Sequence, residues 1–126
     1  MSAYLDTQVA VWLAQVKFQR LSSGAREQIK KTDLLVSPMV LLELEYLYEI
    51  QRISLHAQEV QLKLQSELGV RTCTLDFASV VGIGIHENWT RDPFDRLIVA
   101  NAKASGFSPL ISADRKIREN YPRAVW

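Results

Sequence analysis

Short β-type runs alternate with helical patterns along the chain. Ala3 to Leu5, Leu34 to Val36, Val70 to Thr74, Pro109 to Ile111 and Ala124 to Trp126 read as strands, and each interval leaves room for a helix. Strands joined through helices rather than tight turns pair in parallel, so the alternation dictates an α/β architecture around a mainly parallel sheet.

The helices have recognisable starts and faces. Val9, Trp12, Leu13 and Val16 follow helical spacing, and a second helix begins after Ser22 and Ser23. Met39 to Ile50 and His56 to Leu68 form a candidate helical hairpin, the latter with Ala57, Val60, Leu64 and Leu68 on one face. Phe77 to His86 reads as helical despite Gly82 and Gly84, which weaken it. Asp92 and Pro93 supply a cap and first-turn proline for a helix that Gly106 ends.

With 126 residues, 48% of them apolar, the chain can bury one core, and no linker-like stretch divides it. We expect a single domain over residues 1–126. The longest apolar run, Leu34 to Leu42, is broken by Ser37 and Pro38 and falls short of the roughly 18 residues a membrane helix needs. No basic region precedes Asp6 as in a signal peptide, so the expected location is the cytoplasm, with no membrane contact. Cys73 is the only cysteine and sits in an apolar run, as a buried small hydrophobe would. His56 and His86 match no zinc-ligand spacing and read as surface or capping residues.

Four acids stand out: Asp6, Glu43, Asp95 and Asp114. In open α/β sheets ligands bind beyond the carboxyl ends of the strands. Asp6 directly follows the first strand, Asp114 follows Leu110 and Ile111, and Asp95 lies in the first turn of its helix. At 100° per residue, Glu43 falls at the centre of an arc made by Met39, Val40, Tyr46, Leu47 and Ile50, whereas Glu45 and Glu49 project from the opposite side as a solvated pair. Each acid also has a structural reading. Asp6 and Asp114 fit helix caps, and Asp95 behind Asp92 suits the helix dipole. Taken together, four acids on one sheet edge call for a shared cation, because an unpaired carboxylate is costly to remove from water. Mg2+ or Mn2+ is the natural ion, and phosphodiester cleavage the natural chemistry.

Net charge is +1, yet residues 91 to 126 carry seven Lys/Arg against four Asp/Glu. That bias surrounds two of the acids and suits either a polyanion or a plain solvated surface. Arg91 and Arg115, beside the acids in sequence, are candidate phosphate contacts or solvated arginines. An aspartyl phosphatase would carry a second acid two residues after Asp6, where Gln8 stands; a phosphorylation receiver would need paired acids near the first strand and a late lysine.

Four segments occur in order: Ala3-Tyr4-Leu5-Asp6-Thr7; Ser37 to Leu44, containing Glu43; Arg91 to Ala102, containing Asp-Pro-Phe-Asp-Arg; and Leu110-Ile111-Ser112-Ala113-Asp114. In this order and spacing the chain resembles, over essentially its whole length, a PIN domain of the VapC toxin type. The resemblance implies a three-layer α/β/α sandwich with a central mainly parallel sheet. It implies a Mg2+- or Mn2+-dependent endoribonuclease, the toxin of a type II toxin–antitoxin pair, with Asp6, Glu43, Asp95 and Asp114 as metal-holding catalytic acids and Asp92 as a cap. RNA is then the substrate, and a cognate antitoxin and a second copy are the partners. Apolar area at Trp12, Leu41, Tyr48, Trp89 and Trp126 would either serve those partners or pack internally. The alternative is a catalytically inactive PIN-like module that binds RNA or a protein.

Overall fold

The computed structural model describes residues 1–126. In chain order the elements are β1 (Ser2–Leu5), α1 (Thr7–Ala14), α2 (Ser23–Lys31), β2 (Asp33–Val36), α3 (Pro38–Glu49), α4 (Ala57–Leu68), β3 (Arg71–Thr72), α5 (Phe77–Gly84), α6 (Pro93–Ala104), β4 (Leu110–Ile111), α7 (Arg115–Asn120) and β5 (Ala124–Val125). Every expected strand is present. The third is shorter than expected, because only Arg71 and Thr72 pair with β2.

The strand order is β3-β2-β1-β4-β5, and all four pairings are parallel. From β1 the chain steps outward through β2 to β3, then returns across the sheet to β4 and β5. Crossovers of one hand that travel in opposite directions place their helices on opposite faces of a sheet, giving three layers. The direction reverses between β1 and β4, so a crevice opens beyond their carboxyl ends.

Local sequence sets the helix starts. Asp6, Ser22, Ser37, Asp76, Asp92 and Asp114 each cap the helix that follows by accepting a backbone N–H, and Pro38 and Pro93 fill first-turn positions. The largest fully buried side chains include Tyr4 and Leu5 of β1, Leu13 of α1, Leu44 of α3, Ile98 of α6, Leu110 and Ile111 of β4 and Ile117 of α7. Each such aliphatic side chain contributes about 1.5–3 kcal/mol by leaving water. Gly84 lets α5 approach α6 closely: a Cβ there would come within 2.9 Å of Leu97 Cδ2. No helix is long and apolar enough to cross a membrane.

Three expectations change. On α3 the buried positions are Val40 and Leu44, while Tyr46 and Ile50 are exposed, so the inward arc is narrower than the wheel drew it. Glu45 is no free surface acid: it accepts from the Ala57 backbone N–H at 3.0 Å and contacts His56 Nδ1 at 3.0 Å, tying α3 to the start of α4. Cys73 is buried, but in polar company. Tyr4 Oη donates to its sulfur at 3.0 Å and Asn101 Nδ2 at 3.2 Å.

Candidate active site

Asp6 is fixed by covalent position and by three hydrogen bonds. Its own N–H donates to Ile111 O at 3.0 Å, extending the β1–β4 ladder to the point where the carboxylate emerges. One carboxylate oxygen accepts from Thr7 N at 2.8 Å, the other from the Ser112 hydroxyl at 2.7 Å. Ser112 is fully buried and in turn accepts from Asp114 N at 3.1 Å. One serine thus links the loops after β1 and β4. Thr7 plays a similar part toward α3, because its hydroxyl donates to Glu43.

Asp6, Glu43 and Asp114, held by these ties, and Asp95, carried by the first turn of α6, surround one cavity of about 340 Å³, completed by Thr7, Gln8, Leu47 and Ala113. A wider surface hollow of about 580 Å³ at Gln15, Tyr48 and Arg52 contains a single acid, Glu49. All four acids singled out in the sequence therefore share one hollow. Arg91 and Arg115 do not line it. Arg91 donates to Asn88 O at 3.1 Å, and Arg115 pairs with Glu119 at 2.9 Å across an exposed turn.

Burial and mutual repulsion hold three of the carboxyls above their ordinary range. Desolvation is the main cause at Asp6, opposed by the bonds from Ser112 and Thr7 and reinforced by the charges of Asp114 and Asp92. Glu43 is raised by desolvation and by Asp6, Asp92 and Asp114, against the Thr7 bond. Asp95 is pushed to about 7 by desolvation and then by Asp92, Asp6, Asp114 and Glu43. No Lys or Arg offsets this charge: the four ion pairs of the molecule all lie elsewhere.

A divalent cation fits such a donor set, since hard carboxylate oxygens without a basic partner are what Mg2+ and Mn2+ select. The side chains as they stand do not form a closed cage, because no three of them converge tightly enough to hold an ion directly. Mg2+ retains several waters and is commonly bound through one or two carboxylates, so an open hollow of this size accommodates it in hydrated form.

Several residues escaped the sequence reading. Thr7 and Ser112 sit beside acids, but nothing local distinguishes them from ordinary polar neighbours. Asp92 caps α6 as its place before Pro93 predicts, accepting from Phe94 N at 2.8 Å; its charge also acts on Asp6, Glu43 and Asp95. Glu87, only 4% exposed, pairs with Lys103 and accepts from Trp89 Nε1 at 2.6 Å, anchoring to α6 the loop that leads to Asp92.

A parallel α/β domain with clustered acids at its sheet switch point is the class that fold and site define. The chain belongs to the PIN domain family, whose profile matches residues 3–121. It is 33% identical over 124 residues to Ribonuclease VapC22 of Mycobacterium tuberculosis, covering 96% of this chain and 94% of that protein. Its fold is similar to that of VapBC2 from Rickettsia felis, solved bound to a DNA fragment from its promoter. The TM-score is 0.63, with 17% identity, covering 98% of this chain and 96% of that one.

Proposed function

We propose that this PIN domain is a divalent-metal-dependent endoribonuclease acting as the toxin of a toxin–antitoxin pair. One observation carries the reading: four acids around a single cavity, three of them raised by burial and repulsion, with no basic side chain to neutralise them. Similarity to a protein named a ribonuclease supports RNA as substrate, and similarity to VapBC2 supports an antitoxin partner.

Asp6, Glu43, Asp95 and Asp114 would hold Mg2+ or Mn2+, which when bound neutralises phosphate charge and acidifies water. Ser112 and Thr7 keep Asp6 and Glu43 oriented. Asp95, raised by burial and by its acidic neighbours, would be held ionised by the cation's added positive charge. Addition of water to phosphorus as the P–O3′ bond breaks, with one water proton passing to O3′, would leave a 3′-hydroxyl and a 5′-phosphate. Trp12, Leu41, Trp89 and Trp126 pack against the core, so apolar area for an antitoxin helix or a second copy would come from exposed Leu42 of α3, Ile50 just after it and Phe77 of α5. We place this activity in the cytoplasm, where RNA and antitoxin are available.

The test is cleavage of RNA by purified protein with Mg2+ or Mn2+ and with excess EDTA. Cutting that persists in EDTA defeats the mechanism. The separation of the carboxylates favours one rival, a PIN-like module that binds RNA or a partner without cutting. Binding of RNA by a wild-type domain that takes up no Mg2+ or Mn2+ in calorimetric titration would establish that rival.

A further inference from the structure

We propose that Gln8 is a substrate-contacting residue that hydrogen-bonds the ribose 2′-hydroxyl beside the scissile phosphate; this rests on the nuclease reading above. Gln8 lies in the first turn of α1, two residues after Asp6, and lines the acid cavity while remaining exposed. Its neighbours on that wall cannot share the task. The four carboxylates only accept hydrogen bonds when ionised and are assigned to the cation; the Thr7 hydroxyl is committed to Glu43, and Leu47 and Ala113 have no polar side-chain atom.

The carboxamide of Gln8 is therefore the uncharged donor and acceptor on an otherwise anionic or apolar wall. A polyanion held by its phosphate can approach such a group without repulsion. The atoms nearest a phosphate that loses its 3′-oxygen are those of the ribose, and the 2′-hydroxyl is vicinal to that oxygen. This hydroxyl both donates and accepts, as the carboxamide does, and it distinguishes RNA from DNA at a single site. Leu47 on α3 gives the sugar an apolar wall.

The experiment compares wild type and Gln8→Ala on an oligoribonucleotide cut at one mapped site, and on the same oligonucleotide with a single 2′-deoxy nucleotide 5′ to the cut. Gln8 is exposed, so the variant keeps its fold, and its Mg2+-induced thermal shift should equal that of wild type. The expected result is a KM on RNA raised roughly five-fold, as for loss of one neutral hydrogen bond, with kcat little changed. On the deoxy substrate the two proteins should then perform alike. Equal KM values on RNA, or a variant defect of the same size on both substrates, overturn the Gln8 assignment alone. Wild type that leaves RNA uncut in Mg2+ and Mn2+ overturns the nuclease reading and this assignment with it.

Discussion

Ser112 and Asp95 concentrate the energetics of the site at single side chains. Ser112→Ala removes the donor to Asp6 and the acceptor for Asp114 N. Because the position is fully buried, water cannot replace those bonds, and unfolding in urea should reveal a loss of about 1–3 kcal/mol. Cleavage should also fall, since both acids lose their orientation. For Asp95 the sign runs the other way. Its carboxyl titrates near 3.8 when unfolded and at about 7 in the fold, so the folded chain binds the proton more tightly. The stability it contributes is full below 3.8 and lost as pH rises through about 7. The metal-free protein should therefore melt at a lower temperature at mildly alkaline than at mildly acidic pH. Asp95→Asn should flatten that dependence in a thermal scan while abolishing cleavage.

Buried tethers between elements matter more here than the exposed pairs on helix surfaces. Lys103 of α6 neutralises Glu87, which is only 4% exposed. Lys103→Ala leaves that buried carboxylate without its countercharge, with Trp89 Nε1 as its remaining donor, and should destabilise the fold by about 1–3 kcal/mol in a denaturant titration. Gly24 of α2 packs against the residue that follows β5: a Cβ would stand 2.9 Å from the backbone oxygen of Trp126. Gly24→Ala should displace the end of β5 and cost about 1–3 kcal/mol by the same measurement, whatever the helix gains in propensity. At this scale the sequence is legible in part. Asp6, Asp95 and Asp114 are found because strand ends and helix starts have local signatures. Helical spacing places Glu43 within one broad apolar face; α3 instead buries a narrow line through Val40 and Leu44, and Glu43 turns toward the cavity from its shoulder. Glu45 with Ala57, Glu87 with Lys103, and Cys73 with Tyr4 and Asn101 are invisible to such reasoning, because each pairing depends on where another segment comes to rest.

For the molecule as a whole, binding of a cation in the unneutralised cavity would couple to folding. Mg2+ or Mn2+ at one hundred times its dissociation constant should stabilise the wild type by about 2.7 kcal/mol, seen as a rise in Tm, and Asp6→Asn should lose most of that rise. The tie between Asp6 and Ser112 spans 106 positions of chain. β1 is made long before its sheet neighbour β4 and the serine that orients its acid. A nascent chain thus carries no assembled centre. For the nuclease proposed above, a polypeptide extended only as far as α6 would hold Asp6 without Ser112 to orient it, and so should not cut RNA.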